Sequence, residues 1–125
     1  MENKRKFDLE DRLVDFACMC LDICELLPHT KAGQNLEYQL SKSSTAAALI
    51  YGEAQAAESA ADFLHKIKLV LKEIRESGVN LKIIKRKPLS TNQKVETTFN
   101  ESKELMAIFL KSIETVKNNN DKLKK

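Results

Sequence analysis

Between Phe63 and Ile84 an apolar side chain returns every three or four residues, at Phe63, Ile67, Val70, Ile74, Leu81 and Ile84, with Leu64 and Leu71 widening the stripe. That seven-residue rhythm belongs to a helix, because residues three and four apart share a helix face whereas strand residues alternate. A helix of this length must bury its stripe against partners of similar length. The rest of the chain offers three.

The first runs through Leu9, Leu13, Phe16, Cys20, Ile23 and Leu27, with Asp11, Arg12, Asp15, Asp22 and Glu25 on other faces; Asp8 caps its start and Pro28 marks its stop. The second, capped by Thr30, uses Leu36, Leu40, Ser43, Ala47, Ile50 and Ala54. Its corner with the long stripe, Gln55 to Asp62, carries a Ser59-x-x-Asp62 capping spacing, although so Ala-rich a corner is also compatible with unbroken helix. The last follows Pro88, with Ser90, Thr91 and Asn92 available as caps, and uses Phe99, Met106, Phe109, Ile113 and Val116 with Leu105 and Leu110 beside them. Gly78 interrupts the third stripe at about 1 kcal/mol relative to Ala, which predicts a bend or an early end there.

Three Gly, two Pro and no Trp in 125 residues, against 42% hydrophobic and 31% charged residues, agree with long helices and one modest core. Short links force neighbouring helices to run antiparallel. The expectation is one all-α domain spanning 1–125, an antiparallel up-down-up-down four-helix bundle with helices at about 8–27, 31–55, 60–86 and 92–118 and a frayed tail at 119–125.

From Ser43 to Gly52 no face carries a charge, although a helix packed on one side should be polar on the other. This predicts that the middle of the second helix is shielded from water. Two coverings fit, another helix of the same chain or another subunit, so Ser43, Ser44, Ala47, Ala48, Ile50 and Tyr51 are the candidates for an oligomer interface.

No constellation suggests catalysis, a cofactor or a metal. Asp62-x-x-His65 places a carboxylate and an imidazole on one helix face with Glu58 a turn earlier, but a dimetal bundle needs two such pairs, and only one exists. Capping by Asp62 and surface hydrogen bonding by His65 are favoured. Glu53 and Glu58 are placed to pair with Lys66, Lys72 or Arg75. Cys20 and Cys24 lie one turn apart with Cys18 pointing away, an arrangement suited to small buried hydrophobes, and any disulfide among them would be strained. Free thiols imply a reducing cytoplasm. The first residues have no apolar core of a leader, and the longest uncharged run is far short of the ~20 residues that cross a bilayer, so neither export nor membrane insertion is expected. In that setting the acceptor pattern Asn100-Glu101-Ser102 carries no glycan.

Charge gives the strongest functional signal. Between Glu76 and Glu96 there is no acidic residue, while Lys82, Lys85, Arg86, Lys87 and Lys94 all fall there. Lys4, Arg5, Lys6, Lys122, Lys124 and Lys125 add charge at the chain ends. Such a patch follows an RNA or DNA backbone without reading bases. With a net charge of only +3, the competing reading is a solvated cationic surface whose lysines complement helix dipoles. The charge has no base-stacking aromatic cluster beside it in the sequence, which argues against sequence-specific recognition.

The set Gly33-x-x-Leu36-x-x-Gln39-Leu40-x-x-Ser43, Tyr51-x-Glu53-Ala54-Gln55-x-Ala57-Glu58-Ser59-x-x-Asp62-Phe63-x-His65-Lys66 and Lys72-Glu73-x-Arg75-Glu76 resembles the four-helix bundle protein family, first met as reading frames in intervening sequences of bacterial large-subunit ribosomal RNA genes. The likeness covers about residues 7 to 118. It implies a left-handed antiparallel bundle that assembles into a ring of five, without known enzymatic activity. The chain is also similar, less closely, to the accessory variability determinant of diversity-generating retroelements, a basic pentamer that partners a reverse transcriptase and binds nucleic acid. It departs from the family pattern at Ile50 and Gly52, which flank Tyr51 where many members carry Asn and Arg, and at Asn80, where an aromatic residue is common. The resemblance therefore implies a homopentamer with RNA, DNA or a protein such as a reverse transcriptase as partner; the alternative is a structural interaction module that binds no nucleic acid.

Overall fold

The computed structural model describes residues 8–124, with side chains described through Asn119. Four helices follow one another: α1 (Leu9–Cys24), α2 (Lys31–Gln55), α3 (Ala60–Arg86) and α4 (Gln93–Lys124). Each start has a side-chain cap that satisfies a backbone donor left without a helical partner. Asp8 accepts from the Asp11 amide at 3.0 Å, Thr30 from Gly33 at 3.1 Å, Ser59 from Asp62 at 3.0 Å and Asn92 from Lys94 at 2.8 Å. The Gln55–Asp62 corner is thus a true break.

Consecutive helices pack side by side and α4 returns to α1, the arrangement of an all-α antiparallel four-helix bundle with no strand among the described residues. The core holds Leu13, Phe16, Cys20 and Ile23 from α1, Leu36, Leu40 and Ala47 from α2, Ile67, Val70, Ile74, Leu81 and Ile84 from α3, and Leu105, Phe109 and Ile113 from α4. Full burial of one large apolar side chain stabilises by roughly 1.5–3 kcal/mol, so these stripes outweigh every surface ion pair.

Two helix ends differ from expectation. The apolar stripe of α1 reaches Leu27, which is buried, yet the helix stops at Cys24. Pro28 disfavours helical geometry in the residue before it, and the chain tightens into i→i−3 turns, Leu26 N–H to Ile23 and Leu27 N–H to Cys24. At the other end α4 continues past Asn118 to Lys124, because successive Asn residues lower helix propensity only modestly and no Gly or Pro interrupts the ladder.

Gly78 does not end α3, which continues unbroken to Arg86. A Cβ there would lie 3.0 Å from Ser102 Oγ of α4, so the missing side chain is what admits α4 alongside. On the other side of α3, Ser77 Oγ lies 2.7 Å from Ser43 Oγ of α2 and donates to the Glu73 carbonyl at 3.0 Å, which satisfies both buried hydroxyls. The buried Thr98 Oγ1 has no hydrogen-bond partner among the described residues.

This small-residue seam corrects the interface candidates. Ser43, Ser44 and Ala47 are sealed by the chain's own helices and cannot touch a second subunit. Ala48, Ile50 and Tyr51 are half-buried, and the Tyr51 ring packs edge-on against Phe109 at 5.7 Å. The chain's own helices do not cover Leu49, which is 69% exposed on α2. Among the described residues no helix is long and apolar enough to cross a membrane.

Gly33, in the first turn of α2, provides a sharp test of the packing. A Cβ there would overlap the Pro28 carbonyl oxygen, whereas one at Gly52 meets nothing within 4 Å. Gly33→Ala should lower stability by about 2 kcal/mol or more, and Gly52→Ala should raise it by about 0.5–1 kcal/mol. Urea unfolding midpoints check both; a Gly33→Ala protein as stable as the parent would contradict this approach of the α1–α2 link to α2.

Candidate nucleic-acid interface

Along α3, Arg75, Val79, Lys82 and Arg86 follow one another at steps of four, three and four, so they line one face beside the buried stripe. Antiparallel α4 lays Phe99, Lys103 and Met106 along that face at steps of four and three. Two adjoining cavities result. Lys82, Lys85, Arg86 and Phe99 line one of about 400 Å³, and Arg75, Gly78, Val79, Lys82, Phe99, Lys103 and Met106 line another of about 240 Å³. Their walls carry Arg75, Lys82, Lys85, Arg86 and Lys103 and, among the described residues, no carboxylate.

Phe99, half-buried, belongs to both cavities. Lys103 Nζ stands 5.3 Å from its ring centroid and Lys85 Nζ 5.8 Å. Each such contact contributes about 0.5–1 kcal/mol at an exposed site, enough to gather ammonium groups near the ring but not to lock them there. Lys85 also forms an ion pair with Glu96, and its hydrogen bond holds the Glu96 carboxyl below the ordinary value of 4.5. Lys82, Arg86 and Lys103 have no carboxylate partner among the described residues.

The five cations singled out in the sequence are therefore divided. Lys82, Lys85 and Arg86 come together at Phe99. Lys87 is exposed at the C-cap of α3 and lines neither cavity, while Lys94 turns to α1, its Nζ 3.1 Å from Asp22 Oδ2. The basic residues at the two chain ends lie outside the described side chains. Conversely, the structure adds Arg75, Lys103 and an aromatic ring. Arg75 fell just outside the acid-free interval and Phe99 within an apolar stripe; the 4-3-4 spacing of Arg75, Val79, Lys82 and Arg86 was the available signal.

The remaining candidates have structural roles. Lys66 Nζ pairs with Glu53 at 2.8 Å across the α2–α3 corner, and Asp62 sits in the first turn of α3 with His65 exposed beyond it. No group of three or more His, Cys, Asp and Glu able to hold a metal is found among the described residues. Cys18 is exposed; Cys20 and Cys24 are buried, and burial pushes the Cys24 thiol up to about 11 and Cys20 further still, so both stay protonated.

The described residues form an all-α four-helix bundle with a cationic groove between its last two helices. No protein-family model and no curated protein matches the chain. Among solved structures it is similar to a protein of unknown function from the S23 ribosomal protein family of Bacteroides thetaiotaomicron, with a TM-score of 0.76 and 26% identity, covering 83% of this chain and 96% of that one.

Glu96 reports on the groove's field. Its folded pKa is depressed, so its contribution to stability is present above the ordinary carboxylate value and is lost as pH falls through the folded value. An NMR titration of Glu96 should show a midpoint below 4.5, and Lys85→Met should raise it; an unmoved midpoint would remove Lys85 from the pair.

Proposed function

We propose that this chain is a non-enzymatic, self-associating member of the four-helix bundle protein family that holds RNA or DNA by its phosphate backbone along the α3–α4 face. The observation that carries the reading is the acid-free groove wall of Arg75, Lys82, Lys85, Arg86 and Lys103, which presents cations from two helices to one ligand. Membership is supported by the spaced set from Gly33 to Glu76 and by the Bacteroides bundle, whose own function is unknown. Leu49 supports self-association: a side chain of that size left 69% exposed in a lone chain, beside half-buried Ala48 and Ile50, is the kind of residue a second subunit covers. The ring of five comes from the family resemblance.

Leu49 and Tyr38, both exposed on α2, also favour a second reading, a protein interaction module whose partner docks on α2 and which needs no nucleic acid. The two readings place their contacts on different faces of the bundle.

Fluorescence anisotropy with labelled RNA and DNA at low salt decides between them. Binding should weaken steeply with salt, and Lys82→Glu combined with Arg86→Glu should reduce affinity at least tenfold and flatten the salt slope by about 2. Absence of binding, or binding unchanged by the double reversal, overturns the nucleic-acid reading and leaves the protein module. In the same samples, sedimentation should return five times the monomer's 14.2 kDa; a monomer would overturn the self-association.

A further inference from the structure

Phosphate contacts explain a basic wall, but not why an aromatic ring stands in the middle of it. Phe99 and Lys82 are shared by both cavities, with Lys85 and Arg86 added in one and Arg75 and Lys103 in the other. At about 1.5 Å per residue, Arg75 and Lys82 are about 10 Å apart along the axis and Lys82 and Arg86 about 6 Å. Phosphates and a ring between them can thus be engaged together by a short stretch of one strand. A duplex keeps its bases stacked inside, out of reach of a ring set between two helices, whereas a single strand can turn a base outward.

We propose that the α3–α4 groove is specific for single-stranded nucleic acid, with one base stacked on Phe99 and the flanking phosphates on Lys82 and Arg86 on one side and on Arg75 and Lys103 on the other. This rests on the nucleic-acid reading above and adds the strandedness. In the unliganded protein Lys85 and Lys103 cover the ring. Both sit on flexible stems, and each exchanges a weak contact with the ring for a phosphate oxygen when the base takes its place. No acid among the described residues lines these two cavities to oppose this, and Glu96 is held by Lys85. Stacking tolerates any base, so the site selects single strands without selecting a sequence.

The test is a labelled 12-nucleotide single strand against the duplex of the same sequence, with the parent protein, Phe99→Leu and Phe99→Tyr, each first confirmed folded by its thermal melt. The single strand should bind at least tenfold tighter than the duplex. Phe99→Leu, which keeps apolar bulk and loses the ring, should weaken single-strand binding roughly tenfold with the salt slope unchanged, and Phe99→Tyr should retain it. A 2-aminopurine in the strand should be quenched by the parent and not by Phe99→Leu. If duplex and single strand bind equally and Phe99→Leu changes neither, while the Lys82/Arg86 reversal still abolishes binding, the stacking site is wrong and the backbone reading stands. If neither nucleic acid binds, both fall. Displacement of the strand by an acidic peptide at equal charge concentration would also overturn the proposal, because it would show a groove that responds to charge alone.

Discussion

The close approach of α3 to both its neighbours is the constraint from which the rest of this structure follows. Ser77 meets Ser43 of α2 through a hydroxyl pair, and one residue on, Gly78 leaves room for Ser102 of α4. Small side chains on one helix would make a weak core, since little apolar area is buried at those positions. Here they are flanked by Ile74, Leu81 and Ile84, fully buried on the same helix, so large residues supply the hydrophobic free energy and small ones set the distance. The groove is a consequence. Because α3 continues through Gly78 with α4 against it, Arg75 and Lys82 share a cavity with Phe99 and Lys103.

Most of the architecture was legible because it is written in local terms. Stripe spacing, a cap residue and a proline each act within one or two turns, which is why helix starts could be read at Asp8 and Thr30, and narrowed to Ser59 and to residues 90–92, where the structure selects Ser59 and Asn92 as the caps. The departures arise where a tertiary neighbour decides. Gly78 has a fixed propensity cost in any helix, but whether the helix ends there depends on its neighbours, and Ser102 of α4 packs against the space it leaves. Likewise the lack of charge around Ser43 to Gly52 does not say which faces are covered; α2's own partners cover Ser43, Ser44 and Ala47 and leave Leu49 outside.

The cationic α3–α4 face was less legible, for a related reason. Counting charges along the chain finds an acid-free interval, but the surface field depends on which cations already have partners. Lys94 lies in the interval and is spent on Asp22; Arg75 and Lys103 lie outside it and complete the groove. The acid that ends the interval, Glu96, folds back onto Lys85 at the groove's edge. A helix hairpin brings together residues more than twenty positions apart, and no stretch of one or two helical turns contains both Arg75 and Lys103.

The two seams of α4 show how a chain with so small a net charge still presents a strong local field. On its α1 side, Arg12 Nε and Nη2 donate to Glu101 at 2.7 and 3.0 Å and Nη2 reaches Glu104 at 3.0 Å, with Asp15 in the same surface hollow. Three carboxylates there face one guanidinium. On its α3 side the balance is reversed, five cations lining the cavities with Glu96 at their edge. Separated by the width of one helix, these faces are not averaged by solvent: the Debye length at physiological salt, about 8 Å, is shorter than a helix diameter of roughly 10–12 Å with its side chains. A polyanion approaching the α1–α4 seam meets repulsion and one approaching the α3–α4 seam meets attraction. The same α4 that completes the core thereby orients the encounter, and net charge alone is a poor guide to what such a bundle attracts.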